Sequence, residues 1–280
     1  MRTQLRIGIV VALASLVHGA AAACSAQQQL SGSRVGKASA KATTARLESN
    51  RSHTMGPTIV LVHGAWADAT GWYDVTRLLQ DGGFNVVAVQ NSLFSFAQDI
   101  ETTKRLIDAQ RGPIVVVGHS YGGAVMSAAA SGNPNVKALV YVAAFAPDQG
   151  ETVGGLLQKY PDLGLGGALR PDAAGFLYID PAQYPKVFAN GLPDKQAQAF
   201  ATEQKPVAGS ALGEPLTVQP AWRSAPTWFV VATEDRAINP DLERFMAKRM
   251  NAKVSEIRSG HLAFISHAPE VARIIESAAR

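Results

Sequence analysis

Between Ile114 and Val125 the chain reads IVVVGHSYGGAV, an apolar and mostly β-branched run that turns, with no intervening loop, into small helix-compatible residues. Such a run is strand-like, and the Ala-Val-Met-Ser-Ala-Ala-Ala segment that completes it suits a helix packed closely on a sheet. A strand that passes straight into its covering helix belongs to a layered α/β arrangement. The same alternation continues from Pro57 to the end of the chain. Strands are expected near Thr58–Val62, Val86–Val89, Ile114–Val117, Ala138–Val142, Trp228–Ala232 and Val254–Ile257. Helices are expected near Thr70–Leu79, Phe96–Gln110, Gly122–Ala130, Pro240–Met250 and Pro269–Ala279. Continuous apolar runs argue for parallel strands covered on both faces. The pattern lapses once, from Pro147 to Ala225, where Gly, Pro, Ala and scattered aromatics replace it. A stretch of that length inside a compact domain reads as an inserted cap rather than a loop.

The 280 residues, 47% of them hydrophobic, suffice for one such domain with a substantial core, placed at residues 57–280 with the cap at about 147–225. The first residues stand apart. Arg2 and Arg6, the apolar run Ile7–Val17 and the alanines before Cys24 read as a secretory leader over residues 1–26, too short to span a bilayer. The protein is therefore expected outside the cytoplasm, secreted or periplasmic. Cys24 follows the alanines Ala20–Ala23 and is a candidate for lipid attachment, hence for anchoring in the cell envelope, although Ala21 stands where such signals usually carry Leu. As the sole cysteine it excludes an intramolecular disulfide. Residues 27–56, rich in Ser, Ala, Gln, Lys and Arg without apolar periodicity, read as a disordered basic tether. The first 56 residues take seven of the 26 Lys and Arg and one of the 22 acids, leaving residues 57–280 at 19 against 21. The basic balance thus lies outside the folded part, and nucleic acid is not an expected partner.

Gly118-His119-Ser120-Tyr121-Gly122 is a G-x-S-x-G between an expected strand and an expected helix, the context in which the pattern lifts a serine out of a sheet. Glycines on both sides give the crossing backbones room. A serine hydroxyl near neutral pH needs a histidine to take its proton and a carboxylate to orient that histidine. Of the six histidines, His18 and His53 lie in leader and tether, and His63 and His119 lie inside backbone-shaping motifs. His261 follows the last expected strand, where sites in open α/β sheets collect, while His267 beside Pro269 suits a helix entry. His261 is the expected base. Asp235, in the loop after Trp228–Ala232 and in the chain order Ser, Asp, His, is preferred over Glu234, one residue nearer the sheet, and over Asp241, a first-turn acid that needs no catalytic explanation, with Asp148 just past the strand ending at Val142 as a further rival. The loop His63-Gly64-Ala65-Trp66 offers donors for an oxyanion, expected to be the backbone N–H groups of Ala65 and Tyr121, with the His63 side chain bracing the loop.

With these residues in order, the chain from about Pro57 to Arg280 resembles the α/β-hydrolase family. VLVHGAW (60–66), GHSYGG (118–123), ATEDRAINP (232–240) and SGHLAF (259–264) are similar to the small-esterase branch that includes plant methyl esterases, hydroxynitrile lyases and bacterial relatives. The resemblance implies a mostly parallel sheet of about eight strands flanked by helices. It also implies a cap inserted after strand six and neither metal nor organic cofactor. Relatives that dehalogenate or open epoxides carry Asp as nucleophile, unlike Ser120. Similar hydroxynitrile lyases carry Thr and Lys where this chain has Gly64 and Leu262, which disfavours lyase chemistry.

The expected activity is serine hydrolysis of small to medium carboxylic esters, in a pocket between sheet and cap with Trp66, Tyr121, Phe145, Leu156, Phe176 and Leu262 as candidate liners. Two other readings stay open on the sequence: a cofactor-free oxidoreductase, C–C bond hydrolase or lactonase on the same fold, or a ligand-binding module without turnover. The oligomeric state carries no sequence signal.

Overall fold

The computed structural model describes residues 56–280. The leader, Cys24 and all but the last residue of the tether lie outside the described residues. In chain order the strands are β1 (Thr58–Val62), β2 (Val86–Val89), β3 (Ile114–Ser120), β4 (Val136–Ala144), β5 (Leu169–Pro171), β6 (Phe176–Ile179), β7 (Val207–Ala208), β8 (Thr227–Ala232) and β9 (Lys253–Ile257). Six of them form one sheet in the order β2-β1-β3-β4-β8-β9, with every pairing parallel. Every residue of β1 and β3 is buried, which is why the central strands read as unbroken apolar runs. At the edges, β2 and β9 are partly exposed and their patterns are weaker.

Among the described residues the sheet has six strands rather than the eight the resemblance implied, and the cap follows the fourth of them rather than a sixth. Each β-branched run supplies one strand, and the described residues hold no further run that reaches this sheet. The longer helices are α1 (Tyr73–Asp81), α2 (Phe96–Asp108), α3 (Tyr121–Ala129), α4 (Asp194–Glu203), α5 (Pro240–Arg249) and α6 (Ala268–Ala278). A 3-10 turn, Ala69–Trp72, precedes α1, with the Asp68 side chain accepting the Thr70 N–H. In α3 all nine residues are buried, and the small ones, Gly122, Gly123, Ala124, Ser127, Ala128 and Ala129, let it pack closely on the sheet.

Between β4 and β8 the chain builds the cap from short helices and the antiparallel sheet β5-β6-β7. Polar contacts tie it to the loops at the sheet's carboxyl edge. The Trp66 indole N–H donates to the Leu177 carbonyl at 2.8 Å, the Asn190 amide to the Glu234 carbonyl at 2.7 Å, and the Asn239 amide to the Pro161 carbonyl at 3.1 Å.

Candidate active site

The carboxyl ends of β1, β3, β8 and β9 deliver the four loops that the sequence singled out. At the end of β3, Ser120 takes φ 52° and ψ −126°, a conformation that costs a non-glycine residue energy and persists only where packing imposes it. The register of β3 against β4 shifts between His119 and Ser120, and Ala143 of β4 also has a positive φ, 43°. Glycine is required beside the turn. A Cβ on Gly122 would lie 2.5 Å from the carbonyl oxygens of Val62 and His63, so α3 could no longer start against the end of β1. Gly122→Ala is expected to lower stability by about 3 kcal/mol, the upper end of overpacking costs, seen as a drop in the urea midpoint at constant slope.

His261, in the loop after β9, donates from Nδ1 to Asp235 Oδ2 at 2.6 Å, and both side chains are inaccessible to solvent. Asp235 lies in the turn after β8, and its Oδ1 accepts the backbone N–H groups of Ala237 at 2.7 Å and Ile238 at 2.9 Å. Three donors therefore hold one carboxylate in one orientation. The backbone that carries the imidazole is held as well, because His119 Nε2 donates to the His261 carbonyl at 3.1 Å. Burial pushes His119 well below the usual histidine range, with the neighbouring His261 adding to the shift, so it packs there as a neutral ring. The remaining His261 nitrogen, Nε2, is buried without a hydrogen-bond partner. Ser120, His261, Ala65 and Tyr121 line one small cavity of about 20 Å³, enough for a single water. Tyr121 opens α3, where the helix geometry gives its N–H no intrahelical acceptor.

His63 braces the loop that carries Ala65. Its Nδ1–H donates to the Gly64 carbonyl at 2.8 Å, and its Nε2 accepts the Asn91 N–H at 3.0 Å. Only a neutral ring can do both, and burial lowers its pKa to about 4.

The rival residues are engaged elsewhere. Glu234 pairs with Arg258 at 2.7 Å, Asp241 with Arg244 at 2.9 Å, and Asp148 with Arg223. His267 sits at the entry of α6 with its Nδ1 on the Ser266 hydroxyl.

Of the expected liners, Trp66, Tyr121 and Phe145 face the Ser120 cavity and three others do not. Leu156 is buried on the far side of its helical turn, because Val153 and Leu157, four residues apart, take the cavity face. Phe176 packs edge-on against Phe94 instead. Leu262 lines a separate shallow cavity beside Trp66 and Phe264. Leu165, Leu212, Ala237 and Ile238 complete the wall and carried no sequence signal. A larger apolar chamber of about 260 Å³ lies next to the first, and Trp66, Leu157, Leu165, Leu212 and Ala237 line both.

Sequence reasoning also missed Glu243. It is completely buried on α5, with Oε2 accepting the Ala232 N–H at 3.0 Å and Oε1 without any donor. The available signal was its helical spacing with Leu242, Met246 and Ala247, which places an acid on an apolar face. Among the described residues, no three His, Cys, Asp or Glu side chains cluster to hold a metal ion.

Comparison with known proteins agrees with this architecture. A profile described as "Alpha/beta hydrolase family" matches residues 59–274. An alpha-hydroxynitrile lyase of Arabidopsis thaliana is 29% identical over 74% of this chain and 91% of its own length. A putative chloroplastic methylesterase of the same plant is 26% identical over 77% of this chain and 55% of its own length. Among solved structures, an extracellular alpha/beta-hydrolase from a Paenibacillus species superposes with a TM-score of 0.69 at 22% identity, covering 80% of this chain and 99% of that one.

Proposed function

Because the chain belongs to the alpha/beta hydrolase family, we propose that it is an exported serine hydrolase of small to medium carboxylic esters. The observation that carries the reading is the strained Ser120 sharing a small apolar cavity with an imidazole locked onto a buried carboxylate. In this mechanism Ser120 Oγ attacks the ester carbonyl while His261 Nε2 takes its proton. The tetrahedral oxyanion accepts the N–H groups of Ala65 and Tyr121. Collapse expels the alcohol with the proton returned by His261, leaving an acyl-serine. Water, deprotonated by the same nitrogen, then releases the carboxylic acid and restores Ser120. Asp235 stays ionised throughout, orienting His261 and stabilising its cationic form.

Esterase chemistry is supported by relatives named as methylesterases, whereas the lyase name of the Arabidopsis relative is not carried over. At the position after the catalytic histidine this chain has Leu262, which is buried and brings no charge to the site. Export rests on the leader reading of residues 1–26, with residues 27–56 as tether and 57–280 as the catalytic domain.

The neighbouring chamber sets the expected substrate size. With about 20 Å³ free beside Ser120 and about 260 Å³ beyond Leu157 and Leu165, the site offers room for short and medium acyl chains. On p-nitrophenyl esters from acetate to decanoate, kcat/KM is expected to peak before octanoate and fall at decanoate. Intact-protein mass spectrometry after a fluorophosphonate should show a single adduct, on Ser120. No adduct together with no ester turnover would reject the proposal.

A further inference from the structure

We propose that Glu243 is a positioning residue of this site: a neutral carboxylic acid that donates its proton to the Asp235 carboxylate and thereby fixes the group that orients His261. The inference rests on the serine-hydrolase reading. Read as an anion, Glu243 is completely buried, has one oxygen satisfied by the Ala232 N–H, and leaves Oε1 with no donor at all. Its side-chain neighbour is Asp235, itself buried and three residues beyond Ala232. Two carboxylates in contact inside a protein cannot both keep their charge. Read as an acid, Glu243 has an O–H to give, and the unpaired oxygen and the charge conflict are resolved together.

The proton belongs on Glu243 rather than on Asp235. Asp235 already accepts the Ala237 and Ile238 N–H groups and the His261 Nδ1–H, three donors that favour its ionised form. Glu243 accepts only one. The cation nearest in the chain, Arg244, is turned outward onto Asp241 and Glu256 at 2.8–2.9 Å and gives Glu243 little compensation. Burial, followed by the Asp235 charge, accordingly raises the Glu243 carboxyl well above the usual range. A leucine in its place would pack but would leave the Ala232 N–H and one Asp235 lone pair without partners. The arrangement adds one member to the chain of hydrogen bonds, so that Glu243 holds Asp235 as Asp235 holds His261. Interactions of this supporting kind set orientation at a site without touching substrate.

The test is Glu243→Gln beside Glu243→Leu, assayed on p-nitrophenyl butyrate across pH. Glutamine keeps the size and a neutral N–H donor. Glu243→Gln is expected to lose no more than about threefold in kcat and to leave the acid limb of kcat/KM in place. If Glu243 were an anion, its neutralisation would loosen the proton on His261 and move that limb to lower pH, which would overturn the proposal. Glu243→Leu is expected to lower kcat by about 10- to 100-fold with KM within about twofold. Wild-type kcat in the leucine variant would equally overturn it. Should the leucine variant fail to fold, the Gln profile and an infrared difference spectrum decide. The wild-type minus Glu243→Gln spectrum at pH 7 should contain the carbonyl band of a protonated, deuterium-sensitive carboxylic acid, and its absence would refute the neutral acid. This spectrum judges Glu243 even if no ester is hydrolysed, so failure of the hydrolase reading and failure of this one remain distinct.

Discussion

Ser120→Ala is expected to reduce kcat/KM on p-nitrophenyl butyrate by at least about 10⁴-fold, a loss of about 5.4 kcal/mol in transition-state stabilisation. The acyl-serine route disappears with Oγ, while the loops around it need not move, because the turn is imposed by the crossing of β1, β3 and α3 rather than by the hydroxyl. Alanine at φ 52° is no more strained than serine there, so the urea midpoint should stay near wild type. What survives would be the contribution of the oxyanion donors and binding alone. An Ala variant that retained turnover while His261→Ala abolished it would assign direct deprotonation of substrate instead, the chemistry of a cofactor-free oxidoreductase or C–C bond hydrolase. A wild type that binds esters but turns none over would return the ligand-binding module.

The second large effect is expected from Asp235→Asn, about 10³- to 10⁴-fold in kcat/KM. The size follows from the hydrogen bonds on the other carboxylate oxygen. Because Ala237 and Ile238 both present N–H groups to Oδ1, an asparagine must turn its carbonyl oxygen toward them and its amide nitrogen toward His261. An N–H facing Nδ1 forces the imidazole proton onto Nε2, the atom that has to act as base. The variant should therefore fold, bind substrate with KM near wild type, and lose kcat. Recovery of activity at high pH without restored Asp would contradict this account.

Much of the fold was legible because parallel strands buried on both faces leave no room for polar alternation. All six runs read from the sequence are strands of the sheet, and α2, α3, α5 and α6 fall within a few residues of their expected limits. The strand count inferred from resemblance was less secure than the count of runs. Cap strands β5, β6 and β7 have two to four residues each, too short for a period to register against the Gly and Pro around them. At the site, Ser120, Asp235 and His261 could be placed because each follows a strand at the same edge of the sheet. Glu243 could not, since an acid just after Pro240 at a helix start is already explained by the helix dipole. Leu156, expected as a liner, misses the cavity for a similar reason: composition marks an apolar turn, but one residue of rotation, about 100°, decides which side chain faces the cavity.

The ties between cap and sheet loops bear on how this protein could be re-engineered. The Leu177 carbonyl holds the indole of Trp66, and Asn190 holds the backbone of Glu234, so the cap steadies both the loop of Ala65 and Trp66 and the turn carrying Asp235. A chimera that imported a foreign cap to change substrate range would also remove acceptors and donors that hold these two loops. Directed evolution of this scaffold is therefore better begun at Leu157, Leu165 and Leu212, which shape the chamber through side chains alone, than by exchanging the module that contains them.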